Sequence, residues 1–216
     1  MAGPRTRHAH ATETRELILT TAERLFAEHG VAAVSNRQIS EAAGQANNFA
    51  VGYHFGTKTD LVAAIVRRHA PEIERRRVDL LRAIQKSEAL RDWLGCLVLP
   101  STDHLASLGN PSWYARFIAQ ATTDPALRQI VIDETSTSPS MRGVTEGLNR
   151  LMPVLPADVV AERADMSRHL IVHVCAERER ALQEGTTTPR ATWEGAAVGL
   201  IDALAGLWQA PFTPTR

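Results

Sequence analysis

The sequence predicts an all-α protein, and three observations carry that reading. Apolar residues recur at helical spacing over nearly the whole 216-residue chain. No convincing run of alternating strand residues interrupts them. Ser, Thr, Asn and Gly stand where helices need to be started and stopped. With 44% hydrophobic and 22% charged residues, the composition is that of a folded globular chain. The longest apolar stretch, Ala196 to Trp208, carries Asp202 in its middle, which argues against a membrane span. The opening MAGPRTRHAH is not followed by the apolar stretch of a secretory leader, so a cytoplasmic location is expected. Cys96 and Cys175 are far apart and outside any CxxC pattern, which excludes a disulfide framework and a thiolate zinc cluster. Both are expected as reduced core residues.

The first helix is predicted over Thr14 to His29, with Ile18, Ala22, Leu25 and Phe26 on one face and Gly30 as a left-handed cap. Val31 and Val34 lead the chain back to the same core. Ser35-Asn36-Arg37-Gln38 fits a capping box and opens a short helix whose buried face is Ile39, Ala42 and Ala43, stopped by Gly44. Asn47 is read as the N-cap of a third helix of about two turns, with Val51 and Phe55 inward and Gly56 closing it. Thr57-Lys58-Thr59-Asp60 caps a longer helix through Leu61 and Ile65, which Pro71 kinks or divides before Glu72 to Ile84 continues it.

Further helices are expected over Ala89 to Ala106, Pro111 to Ala121, Pro125 to Glu134, Ser140 to Leu151 and Ala157 to Gln183, with Thr135 to Pro139 as a loop. A last helix is predicted to open at Thr188 with Pro189 in its first position and to stop before Pro211. It places Trp193, Ala197, Leu200, Leu204 and Trp208 in one stripe. Gly195, Ala196, Gly199, Ala203 and Gly206 leave much of its remaining surface small, so another helix could approach closely.

The net charge is zero, 24 basic against 24 acidic residues, but local charge is informative. From Ala42 to Thr59 there is no Asp or Glu, while Asn47, Asn48, Tyr53, His54, Thr57 and Lys58 supply hydrogen-bond donors. Such a window suits phosphates. Three short helices with a Gly-containing turn before the third also meet the description of a helix-turn-helix. The string AERLFAEHGVAAVSNRQISEAAG, followed by AVGYHFGTKTDL, closely resembles the N-terminal signature of the TetR family of bacterial transcriptional regulators. The resemblance covers roughly Thr14 to Ile65.

That resemblance implies a helix-turn-helix DNA-binding domain with a basic N-terminal tail over residues 1–57. A larger helical ligand-binding and dimerisation domain over 58–216 would follow, ending in a closing helix pair. Ser35, Asn36 and Arg37 would start the supporting helix near DNA, with Arg37 reaching a base or a phosphate. Gln45 lies in the turn, and Asn47, Asn48, Phe49 and Ala50 would open the recognition helix. Asn48 is the best base reader, since its amide can pair with adenine N6 and N7, and Phe49 and Ala50 would meet a thymine methyl. Tyr53 and His54 would lie against the backbone, and the Thr57-Lys58 helix start would hold a phosphate. Two departures stand out. The turn after Gly44 is one residue longer than the usual pattern, with Gln45 or Ala46 as the extra, and Gly52 stands where the family often has an aromatic. Arg5 and Arg7 read either as a minor-groove arm or as a solvated tail.

In the family the last two helices of each subunit pack as a four-helix bundle, which makes Leu170, Val174, Trp193, Ala197, Leu200, Leu204 and Trp208 the expected homodimer interface. Trp93, Trp113, Tyr114, Phe117 and Met141 are candidate apolar lining of an effector pocket, with Asp103 and His104 as polar anchors. Core packing explains each equally well. The aromatic content favours an apolar or aromatic small-molecule effector. His169 and His173 lie at i, i+4 near Cys175 and Glu177, but residue 175 points to another face and there is no HExxH, so no metal or cofactor is expected. No GxSxG, P-loop or GxGxxG is present, and Asp103-His104 lacks a nucleophile, so catalysis is not expected. The reading is a TetR-type regulator, a repressor, that binds a palindromic operator as a homodimer and is released by an effector. The competing reading is a helical ligand-binding or metal-sensing module with weak or no specific DNA binding, which the longer turn and Gly52 would allow.

Overall fold

The computed structural model describes residues 4–214, with side chains described over 11–214. Among the described residues there are ten α-helices and no strand. They are α1 (Pro4–His29), α2 (Asn36–Ala42), α3 (Ala50–Phe55), α4 (Lys58–Ile84), α5 (Leu90–Leu108), α6 (Tyr114–Ala121), α7 (Pro125–Ser136), α8 (Pro139–Leu151), α9 (Ala157–Glu184) and α10 (Trp193–Gln209). No described helix is long and apolar enough to cross a membrane.

α1 buries Ile18, Ala22 and Phe26 of the face that the spacing picks out, together with Leu19 and Ala27, while Leu25 is half-buried. It begins at Pro4 rather than at Thr14. A proline suits a helix start because its missing N–H would be unpaired there in any case. The side chains of Arg5 and Arg7, the arm or tail of the sequence reading, lie outside the described residues. Gly30 closes α1 with φ +85°, a region that L side chains avoid, and Val31 and Val34 then turn inward.

α2 has its predicted capping box: Ser35 Oγ accepts from the Gln38 amide, and Gln38 Oε1 takes the Ser35 N–H at 2.8 Å. α3 starts later than Asn47. The Asn47 carboxamide accepts from Phe49 N at 2.9 Å and its carbonyl takes Ala50 N at 3.0 Å, so the residue builds a turn ahead of the helix instead of capping it. Thr57 and Asp60 form a second reciprocal box at the start of α4. α4 runs unbroken through Pro71.

The start of α10 also differs from expectation, since Thr192 rather than Thr188 caps it, accepting from Gly195 N at 3.0 Å. Thr188 is occupied elsewhere. Arg178 of α9 donates to Thr188 Oγ1 and to the carbonyls of Arg190 and Ala191, which fixes the connection as an extended strap around one guanidinium.

One continuous apolar core runs from α1 to α10. α1 leans on α6, with the Phe26 and Phe117 rings stacked at 6.2 Å. α5 packs between α4, α8 and α10, and α9 packs on α6 and α10. Glu179 of α9 is buried and receives the Ser112 hydroxyl, the Ala115 and Arg116 amides and the Arg116 Nε, so a carboxylate from α9 holds the start of α6. A negative charge at a helix N-terminus is favourable, and here its desolvation is offset by four donors.

The stripe expected to face a partner is the inner face of α10. Ala197, Leu200, Leu204 and Trp208 are buried in the core of the single chain, with Trp208 Nε1 donating to Ser167 Oγ, and Trp193 lies under the Arg178 guanidinium at 5.1 Å. Gly195 and Gly199 are covered by the Arg190 side chain rather than left open for a helix. Periodicity finds an apolar face but does not say which chain fills it.

Two glycines in helices give opposite predictions. A Cβ on Gly147 would fall 1.9 Å from the Trp93 ring, whereas one on Gly52 would meet nothing within 4 Å at an ordinary helical φ. Gly147→Ala should therefore cost about 1–3 kcal/mol in urea unfolding. Gly52→Ala should add up to about 1 kcal/mol. The reverse order of midpoints would contradict this packing.

Candidate nucleic-acid interface

The segment from α2 to α3 is held together from below and left open above. Ile39 and Ser40 of α2 and Ala50 and Val51 of α3 are buried, and Ser40 Oγ donates to the Asn48 carbonyl across the turn. The Gln45 side chain donates to the Ala43 carbonyl at 3.0 Å, so a residue of the long turn stabilises that turn. On the outer side Asn47 and Asn48 are exposed, and Phe49 and Tyr53 are 81% and 84% exposed. These two rings sit at i, i+4 and project from the same face. Gly52 lies in the same open surface.

Two neighbouring bare rings form an exposed apolar patch of the kind that marks an interaction surface. The Asn48 carboxamide makes no hydrogen bond within the described chain and keeps both donor and acceptor free. Arg37 projects from the first turn of α2, its Nε on Glu41 at 2.7 Å, and that hydrogen bond raises its pKa further. Ser35 spends its hydroxyl on the capping box. Asn36 is half-buried with its side-chain oxygen unpartnered.

The structure corrects two of the sequence expectations in this segment. Ala50 is buried under α3 and has no methyl to offer a base, because the late helix start turns position 50 inward. Lys58 donates to the Val31 carbonyl at 3.0 Å, and the carboxylate of Asp60 occupies the Thr57 amide and hydroxyl, so the ammonium and the Thr57 side chain expected to hold a phosphate are engaged within the chain. His54 is half-buried, edge-on to Tyr53 at 5.0 Å.

Sequence reasoning missed what holds α3 in place. Arg15 of α1 donates to the His54 carbonyl at 2.9 Å and stacks its guanidinium 4.2 Å over Phe55. No spacing rule connects residues 39 positions apart.

The candidate pocket residues are mostly consumed by packing. Trp93 fills the notch at Gly147, donates to the Ser87 carbonyl and carries Arg150 over its ring. Tyr114 stacks on His69 at 3.8 Å, Phe117 lies between Phe26 and Tyr114, and His104 is hydrogen-bonded to His69. Asp103, Trp113 and Met141 are half-buried. Burial raises the Asp103 carboxyl above its usual range, and Trp113 Nε1 is buried without a partner.

On α9, Leu170 and Val174 are exposed and join Met166, His169, His173 and Leu207 around a shallow apolar concavity of about 430 Å³. The rings of His169 and His173 stack at 6.1 Å. No group of three or more metal-ligating side chains converges among the described residues. Cys175 is buried away from that pair, and burial pushes its thiol up to about 12. Burial likewise raises Cys96 to about 11.

The family model for bacterial regulatory proteins of the tetR family matches residues 18–65, the span of α1 to early α4 that builds this surface. The chain is similar to the HTH-type transcriptional repressor AcnR of Corynebacterium glutamicum, at 29% identity over 150 residues that cover 64% of this chain and 70% of the relative. It is also similar to the AcnR repressor of Corynebacterium efficiens, at 34% identity over 86 residues covering 38% and 45% respectively. The exposed α2–turn–α3 face and these likenesses agree: residues 18–65 carry the helix-turn-helix segment of bacterial regulatory proteins of the tetR family, joined to an all-helical body.

Proposed function

We propose that the protein is a repressor that binds a palindromic operator as a homodimer and is released when a small molecule occupies its C-terminal half. The observation that carries this reading is the bare face of α3 and the turn before it, where Asn48, Phe49 and Tyr53 stand exposed with no acidic residue between Glu41 and Asp60. Asn48 serves as base reader, Phe49 as the contact to a thymine methyl, and Arg37 and Tyr53 as backbone contacts. Both relatives are named as transcriptional repressors, which supports the sign of regulation.

The division at residue 57 follows the capping box that opens α4, with 58–216 as the effector-binding and dimerising part. A second copy of the chain is the occupant we assign to the apolar concavity on α9. A palindromic site requires a two-fold pair of recognition helices about one DNA turn apart. Leu170 and Val174 stay in that interface, with Met166, His169, His173 and Leu207 beside them. The effector is apolar or aromatic in character, received near Trp113, whose indole N–H is free to donate to it.

Selection of bound duplexes from a random pool, at two salt concentrations, tests the DNA reading. A palindromic consensus should emerge. On that consensus, Asn48→Ala should relax preference at one position by about 1–3 kcal/mol. Arg37→Ala should weaken all duplexes alike and lower the salt slope by about one. Equal losses on every duplex for both variants would refute this division of roles.

Sedimentation tests the interface. Leu170→Glu combined with Val174→Glu should give a folded monomer, since two carboxylates would be placed in an apolar contact. A double variant that remains dimeric would move the interface elsewhere.

A further inference from the structure

Beneath the DNA-facing surface, a chain of polar side chains crosses the molecule through its core. His104 of α5 is hydrogen-bonded through Nε2 to His69 Nδ1 of α4 at 2.8 Å, and His69 Nε2 to Glu23 Oε2 of α1 at 2.9 Å. Glu23, His69 and His104 are each only 6% exposed, and Tyr114 of α6 stacks on His69 at 3.8 Å. An apolar trio would fill this space without needing any directional partner.

The carboxylate sets the direction of the chain. With Glu23 as a carboxylate acceptor and His69 as a neutral imidazole, His69 donates from Nε2 and presents a bare Nδ1. His104 must then donate from Nε2, which leaves its Nδ1 as a bare lone pair. That atom is the one buried without a partner. The two hydrogen bonds and the orphaned nitrogen all fit that arrangement of protons.

The far end of α1 holds the recognition helix. Arg15, eight residues before Glu23 and about 12 Å away along the helix axis, grips the His54 carbonyl and the Phe55 ring. Arg68 adds a second tie between α1 and α4, donating to Thr20 at 2.9 Å and pairing with Glu16 at 3.4 Å.

We infer that Glu23, His69 and His104 are positioning residues for the recognition helix: through them α5 and α6 of the C-terminal half fix α1, and α1 fixes α3. The chain is sensitive to acid. A proton added to His104 would sit on Nδ1, with no acceptor, in a ring flanked by His69, Arg76 and Glu72 of α4. The other charges around the junction are Glu16 and Glu23 on α1, Arg68 on α4 and Asp103 on α5; Tyr114 of α6 stays a neutral phenol. Burial, then His69 and Arg76, lower His104 to about 4, below the 6.5 of a free imidazole. Because the folded value is depressed, the contribution of His104 is complete above pH 6.5 and is lost as pH falls toward 4.

Hydrogen exchange of the α3 amides in the free protein, corrected for intrinsic rates, is the test. His104→Leu, which removes the donor to His69, should speed α3 exchange about fivefold at pH 7.5. His104→Gln, whose amide can still donate but does not titrate, should restore it. The ratio of wild-type to His104→Gln exchange should rise about tenfold between pH 6.5 and pH 5. Affinity for the pool-selected duplex should fall in parallel, and contributions common to both proteins cancel in the ratio. Faster exchange confined to α4, α5 and α6, or a His104→Gln protein that follows the wild-type pH profile, would overturn the assignment. If His104→Leu does not fold, the pH comparison decides alone. The duplex arm rests on the DNA reading of α3 and the exchange arm does not, so failure to select any duplex counts against that reading only.

Discussion

A helix of six residues does not hold itself together in water, and α3, which carries Tyr53 and follows directly on Asn48 and Phe49, is only that long. Its placement is imposed by neighbours. Ala50 and Val51 sink into the core, Ser40 ties the turn from α2, and Arg15 of α1 takes the last-turn carbonyl. The surface proposed to meet DNA is as ordered as those contacts make it. Gly52, open on that surface and unfavourable for helix, increases the dependence.

α1 is thus shared between two tasks. Its Ile18, Ala22 and Phe26 face belongs to the common core, its Arg15 end steers α3, and its Glu23 lies at the junction with α4, α5 and α6. Behind that junction Glu179 of α9 holds the start of α6, so the helix with the exposed apolar face is two packed elements away from α1. Packed contacts of this kind give discrete arrangements rather than gradual deformation, which is what a ligand needs if it is to shift a population. A small molecule near Trp113 would act on helices already joined to the DNA-facing segment.

The legible part of this structure was local. Ser35 with Gln38, Thr57 with Asp60, and the glycines at 30, 44 and 56 are short-range devices whose partners lie within a few residues, and they appear where the sequence places them. The structure departs from the sequence reading where a residue has a rival long-range or one-step-earlier use. Asn47 caps a turn instead of the helix, which rotates Ala50 from the DNA side into the core. Arg178 claims Thr188 and the carbonyls after it, which delays α10 to Trp193. The α10 stripe is apolar as expected but packs against its own chain, and His104, a candidate polar anchor, and Tyr114, a candidate lining residue, both contact His69. Periodicity carries burial, not the identity of the partner that causes it.

The central claim is that two copies of this chain present two α3 faces to successive major grooves. Hydroxyl-radical footprinting of the wild-type protein on its pool-selected duplex tests it directly. The account predicts two protected patches of equal depth, about 34–36 Å apart and related by the palindrome's two-fold axis, both lost when Phe49 and Tyr53 are replaced by alanine. A single patch, or a footprint unchanged by that replacement, would contradict it.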